Sequence, residues 1–257
     1  EELKNNGGAT TKKFRSRLAA KAYARTCSYD AAISSWFSFE QGEKFPSSTA
    51  FGAELKQVLR YGENPHQEAA LYINNDTRPS VVMAKQLQGK ELSYNNLNDA
   101  DAAFELVAEF RDSPACVIVK HANPCGVALG DDLKTAYMRA FSCDMESAFG
   151  GIIAFNRKLD EATANLVGDL FTEVIIAPEI DKAARNILKA KKNLRVLVSG
   201  GMPQPGCESI KSRSVASGYL LQSGDCSVFN EMKVVTKRGP SEHEWEDLKF
   251  AFTVSKH

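Results

Sequence analysis

Three short signatures of familiar enzyme classes are missing from this chain. No Gly-x-Gly-x-x-Gly follows an apolar run, no Gly-Lys-Ser/Thr loop occurs, and no Gly-x-Ser-x-Gly elbow is present. Dinucleotide-binding folds, P-loop nucleotidases and α/β-hydrolases therefore have no support in the sequence. An excess of one charge is missing as well: Lys plus Arg and Asp plus Glu both total 32, so the formal net charge is zero. Without a basic surplus to hold a phosphate backbone, a nucleic-acid partner is not expected. Long apolar runs are also lacking. Residues Glu1 to Gly8 contain no apolar core of a secretory signal, and no later stretch approaches the roughly 20 apolar residues of a membrane span, so no membrane partner is expected either. The six cysteines, at positions 27, 116, 125, 143, 207 and 226, include no Cys-x-x-Cys pair, and three lie in or beside apolar runs. Free thiols in a reducing compartment are expected, and with no signal or span in view a soluble, intracellular protein, assigned here to the cytoplasm (cytosol) over an organelle that the sequence leaves open. No internal repeat is visible.

What is present suits a globular α/β protein. The 257 residues are 43% hydrophobic, enough for a buried core in one large domain or two smaller ones. After a polar lead-in, Lys12 to Phe37 has apolar residues at three- and four-residue spacing (Phe14, Leu18, Ala22, then Ala31, Ala32, Trp36), which predicts one helix or two broken near Cys27-Ser28. The polar stretch Ser38 to Ser48 marks a first boundary, giving a helical linker over 1–48 and a main domain over 49–257. Ala50 to Val58 reads as either helix or strand. Strands are expected at 69–73 and 80–84, then a helix over Asp99 to Arg111 behind an Asn98 or Asp99 cap. Strands at 115–119, 151–155, 173–177 and 194–198 then alternate with helices at 131–141, 160–171 and 181–190. Such crossovers predict a three-layer α/β/α fold with a largely parallel or mixed sheet. Two more strands are expected at 215–222 and 228–236. The last helix opens on a Ser241/Glu244 capping box with a stripe of Trp245, Leu248, Ala251 and Phe252. No stop signal follows before His257 and no Met opens the chain, which reads as an internal piece of something longer.

The richest chemistry stands where the β-branched run Ala115 to Val119 ends. Lys120 and His121 precede Ala-Asn-Pro-Cys-Gly, so an ammonium and an imidazole are offered where the chain must turn, at the carboxyl edge of a sheet. Imidazole takes a proton near neutral pH, and ammonium supports developing negative charge or returns a proton. A solvated Lys-His turn is the bland alternative. Arg60-Tyr61-Gly62-Glu63-Asn64-Pro65-His66-Gln67 sets a guanidinium beside a glycine, a combination suited to a phosphorylated ligand or to an ordinary turn. Leu92-Ser-Tyr-Asn-Asn96 is rich in amides, which suit a carboxamide or a base edge but also cap helices. Ser147-Ala-Phe149-Gly150-Gly151 permits close backbone approach and ring stacking, or is simply a tight turn, and Glu173 opens a strand. Zinc is argued against: a zinc deaminase needs His-x-Glu and Pro-Cys-x-x-Cys, whereas His121-x-Asn123 and Pro124-Cys125-x-x-Ala128 stand here.

Together, Leu-Arg-Tyr-Gly-Glu-Asn-Pro-His-Gln (59–67), Leu-Ser-Tyr-Asn-Asn (92–96), Lys-His-Ala-Asn-Pro-Cys-Gly (120–126) and Ser-Ala-Phe-Gly-Gly (147–151) resemble the bifunctional AICAR transformylase/IMP cyclohydrolase family. The resemblance covers essentially the whole chain. It makes 1–48 the tail after a cyclohydrolase domain and 49–257 the first part of a transformylase domain, with a cytidine-deaminase-like fold without zinc. It implies formyl transfer from the co-substrate 10-formyltetrahydrofolate to the amine of AICAR, with cyclisation to IMP elsewhere in the parent and no metal. By resemblance His121 is the base and Lys120 the group that stabilises the oxyanion or protonates the leaving folate nitrogen. Arg60 and Tyr61 would hold the nucleotide, Asn96, Gly150 and Glu173 would surround it, and Phe149 would lie near the folate. A homodimer with the site between subunits is implied, and so is inactivity of this piece alone, because the family also uses residues beyond His257. A zinc-dependent deaminase-like enzyme and a non-catalytic dimerisation segment are the competing readings.

Overall fold

The computed structural model describes residues 1–74, 76–205, 209–226 and 232–257, which divide into two units, Glu1–Val58 with Ala69–Asp76, and Leu59–Glu68 with Thr77–His257. The first unit holds α1 (Glu2–Asn5), α2 (Lys12–Glu40), most of β1 (Glu54–Leu59) and β2 (Ala69–Ile73), the two strands forming a small sheet. Thr11 caps α2 by accepting from the Phe14 amide at 3.2 Å, and the helix runs unbroken through Cys27-Ser28. Its expected apolar stripe is not a buried one, since only Ala31 of α2 is buried while Leu18 and Trp36 are exposed. Of the ambiguous 50–58 segment, residues 54–58 are strand and 50–53 are neither helix nor strand.

In the second unit a six-stranded sheet is built from β3 (Lys85–Gln88), β4 (Ala115–Lys120), β5 (Asn123–Leu129), β6 (Ile152–Phe155), β7 (Val174–Ala177) and β8 (Arg195–Val198), in the order β3-β8-β7-β6-β4-β5. β6, β7 and β8 run parallel, while β3, β4 and β5 each pair antiparallel. The sheet is therefore mixed, not largely parallel. Period-two alternation divides its side chains between two cores. Cys116, Ile118, Ile153, Phe155 and Ile175 face one core, with residues of α4 (Leu133–Cys143), α5 (Glu161–Val167) and α6 (Lys182–Leu188). Val117, Val119, Ile152, Ala154 and Ile176 face the other, where α3 (Tyr94–Ala108) packs Ala103, Phe104 and Val107. Three layers result, as expected. An antiparallel hairpin, β9 (Ile210–Val215) and β10 (Gly218–Ser223), and a final helix α7 (Glu242–Ser255) complete the described chain. No helix is long and apolar enough to cross a membrane among the described residues.

Several expected elements shift. The apolar run 80–84 is a turn that buries Val81, and the strand is the following Lys85–Gln88. Helix α3 starts at Tyr94, earlier than expected, because Ser93 and Asn96 form a reciprocal capping box. The strand expected at 215–222 is a turn and the second arm of the β9–β10 hairpin. Of the strand expected at 228–236, residues 232–236 are not extended into a sheet and the remainder lies outside the described residues. Helix α7 has its Ser241/Glu244 capping box, but the face it packs carries Phe250, stacked on Phe110 at 5.2 Å, and the buried Thr253, while Leu248 and Phe252 are exposed.

Candidate functional site

Lys120 is the last residue of β4, and Asn123, the first of β5, pairs with it. His121 and Ala122 are thus the two-residue loop of a hairpin, and both are left-handed, with φ of 56° and 58°. That is the signature of a type I′ turn, whose twist matches the strands on either side. The backbone leaves extended geometry at this point, so Lys120 and His121 are not bound to the opposite-face alternation of a regular strand. Pro124 fits because β5 is the sheet edge and its register slips between Ile118 and Val119, leaving Cys125 unpaired. Burial pushes the Cys125 thiol up, and the neutral group donates to the Ile118 carbonyl at 3.4 Å. Among the described residues no group of three or more His, Cys, Asp or Glu side chains is arranged to hold a metal ion.

Because β4 is antiparallel to β6, its carboxyl end lies beside the amino ends of β6, β7 and β8. The site is not at the carboxyl edge of parallel strands; it gathers what enters those strands instead. Lys120 Nζ donates to the Phe149 carbonyl at 2.9 Å. Phe149 is exposed and lies 5.1 Å from the Phe171 ring, and Gly150 adopts φ 73° with its amide donating to the Phe171 carbonyl at 2.8 Å. A left-handed φ explains glycine at 150. At 151 the reason is space, since a Cβ would meet the Val119 carbonyl oxygen at 2.9 Å. The Glu173 amide donates to the Gly151 carbonyl at 3.0 Å, and its carboxylate accepts from Arg195 Nη1 at 2.7 Å. Arg195, nearly buried, also donates from Nε to the Glu91 carbonyl at 3.2 Å.

Glu91 immediately precedes the Leu92–Asn96 loop, so the circuit returns to α3. One helical turn into α3, the Asp99 carboxylate accepts from the amides of His121 (3.2 Å) and Ala122 (2.8 Å). Lys120, His121, Phe149, Gly150 and Glu173 are therefore linked in one ring of hydrogen bonds and backbone segments, closed by the chain from Glu91 to Asp99, with the His121 side chain exposed. Asn96 is buried beside it, but its side-chain oxygen accepts from the Ser93 amide at 3.2 Å as a cap. Arg60 and Tyr61 are more remote: the guanidinium lies 5.6 Å from the Tyr61 ring centre, and their loop is tied to α3 where Asn95 Nδ2 donates to the Glu63 carbonyl at 3.3 Å. The loop is closed on itself by Gly62 N to Gln67 O (2.8 Å) and Asn64 N to Gln67 Oε1 (2.7 Å).

Two members were not expected. Asp99 reads in sequence as a cap for its own helix, and nothing local signals a partner 22 residues away. Arg195 had a usable signal, a cation opening the strand next to the one Glu173 opens.

The family described as AICARFT/IMPCHase bienzyme matches residues 1–257. The "Bifunctional purine biosynthesis protein PurH" of Bradyrhizobium diazoefficiens is 58% identical over 261 aligned positions, covering 100% of this chain and 49% of that protein. The proteins of the same name from Parvibaculum lavamentivorans (58%) and Rhizobium leguminosarum (53%) each align with all of this chain and 48% of their own length. The chain spans about half the length of the curated relatives it matches.

Proposed function

The chain belongs to the AICARFT/IMPCHase bienzyme family, and from that premise we propose that the ring around Lys120 and His121 is part of the formyl-transfer site of a purine-biosynthesis enzyme. The observation that carries this is the joining of two motifs far apart in sequence, 120–126 and 147–151, by the Lys120–Phe149 hydrogen bond, with Glu173 next in the same ring. The substrates are AICAR and 10-formyltetrahydrofolate. The AICAR amine is a poor nucleophile because its lone pair is delocalised into the imidazole ring and its carboxamide. Attack forms a bond from that nitrogen to the formyl carbon and breaks the bond from the carbon to the folate nitrogen. The amine proton passes to the His121 imidazole, and the folate nitrogen leaves with a proton. Lys120 stabilises the tetrahedral oxyanion or supplies that proton, and its ammonium is held near the reacting centre by the Phe149 carbonyl.

Arg60 and Tyr61 hold the nucleotide, Asn96 presents its Nδ2 group, Gly150 lets the backbone approach, and Glu173 accepts from the substrate while Phe149 stacks near the folate. No metal takes part. The same reading gives the six-stranded unit a cytidine-deaminase-like architecture without zinc, makes 1–48 the helical tail after a cyclohydrolase domain, and assigns 49–257 to the transformylase. The full-length protein then also cyclises the product to IMP and works in the cytosol as a homodimer whose formyl-transfer site lies between subunits. The test is formyl transfer by the full-length protein containing this chain and by its His121→Ala variant. A loss of kcat of about 100-fold or more is expected for removal of a general base, and an unchanged kcat would remove His121 from the chemistry.

A further inference from the structure

We infer that Asp99 is a positioning residue for formyl transfer, holding His121 in place through the backbone of its turn. This rests on the reading of His121 as the base. Two consecutive non-glycine residues, His121 and Ala122, sit in the left-handed region at φ 56° and 58°. That conformation is disfavoured for any side chain bearing a Cβ, and type I′ turns ordinarily take asparagine, aspartate or glycine at these positions. Neither residue here relieves the strain itself, so something outside the turn must over-determine it. The Asp99 carboxylate does so with both oxygens, Oδ2 to the His121 amide at 3.2 Å and Oδ1 to the Ala122 amide at 2.8 Å. Asn123 adds a third restraint by donating from Nδ2 to the His121 carbonyl at 2.8 Å.

The anchor is rigid. Asp99 stands early in α3, whose neighbours Ala100, Ala103 and Phe104 are fully buried against the sheet and whose first turn is fixed by the Ser93–Asn96 capping box. Strand β4, also buried, delivers the other end. A charged acceptor on a core helix thus sets where the exposed imidazole stands relative to Lys120. Displacement of a catalytic group by about 1 Å can cost on the order of 100-fold in rate, so the effect belongs in kcat.

The test uses the full-length protein containing this chain, with Asp99→Ala, Asp99→Asn, His121→Ala, and Asp99→Ala combined with Ala122→Gly. Asp99→Ala is expected to lower kcat about 10- to 100-fold with KM for both substrates little changed. Asp99→Asn, able to accept through one oxygen only, is expected to fall between. Ala122→Gly, by removing a Cβ from the left-handed position, is expected to restore part of the kcat lost in Asp99→Ala, which no general weakening of the fold would predict. Asp99→Ala and His121→Ala are expected to be strongly non-additive. An unchanged kcat in Asp99→Ala while His121→Ala is inactive would overturn the inference, as would a loss that Ala122→Gly does not recover. If His121→Ala leaves the rate unchanged, the functional reading fails, and the Asp99 clamp is judged on this 257-residue chain. There the strong amide-to-Hα contact of a positive φ at residues 121 and 122, read by NMR, is expected to weaken in Asp99→Ala. Its persistence at full strength would overturn the clamp.

Discussion

Single side chains at the sheet edge differ in what they can lose. Arg195 is nearly buried and donates to both the Glu173 carboxylate and the Glu91 carbonyl. Arg195→Ala leaves two acceptors without their donor, and a loss of about 1–3 kcal/mol in urea unfolding is expected. Glu173→Gln keeps an acceptor oxygen and is expected to cost less; a loss near zero for Arg195→Ala would mean that its contacts contribute little. This pair was only half legible. Glu173 stood out in the sequence as a carboxylate opening an apolar strand, but its partner depends on β8 lying parallel beside β7, which no local pattern encodes. Asp99 was misread for the same kind of reason. The sequence offers Asn98-Asp99 as a helix start, whereas the hydroxyl of Ser93 takes the Asn96 amide at 3.1 Å and starts the helix earlier, freeing Asp99 to bond across to the next loop.

Among the elements, the hairpin β4–β5 depends on glycine at its far strand. A Cβ at Gly126 would be driven into the Ala140 carbonyl of α4, so Gly126→Ala is expected to destabilise by about 1–3 kcal/mol, seen as a lower urea midpoint at unchanged slope. A wild-type midpoint would show that α4 can move away without cost. Helix α3 gives the companion test. Ser93→Ala removes the cap and is expected to cost about 0.5–2 kcal/mol. The four inner strands were legible because each is a short run of buried, mostly β-branched or aliphatic residues. The two edge strands were not: β3 is Lys-Gln-Leu-Gln, and β5 contains Pro124 and Gly126. Both compositions argue against a strand, and both are tolerated only where a strand has a neighbour on one side alone.

At the scale of the whole folded unit, pH acts through Glu109 near the start of the link to β4. Burial alone would raise its carboxyl, but hydrogen bonds from His257 and Lys256, at 3.1 and 2.7 Å, bring the net shift below its ordinary value of 4.5. A carboxylate depressed in the folded state contributes stability above its unfolded value, and that contribution is lost as pH falls through the folded one. Thermal melts are therefore expected to drop as pH is lowered below about 4.5, and Glu109→Gln to flatten that limb; an identical acid limb in the variant would assign the loss to other groups. Composition and periodicity were sufficient for the class of fold, the inner strands and most helices, and they singled out Lys120 and His121 as candidate groups, because burial and chemistry of that kind are written in neighbouring residues. Which edge of the sheet carries the candidate site, and that Asp99 and Arg195 are bonded to its residues, came from strand direction and from contacts between residues far apart in the chain. Those depend on how buried faces pack against one another, a property of the assembled layers that no single stretch of sequence contains.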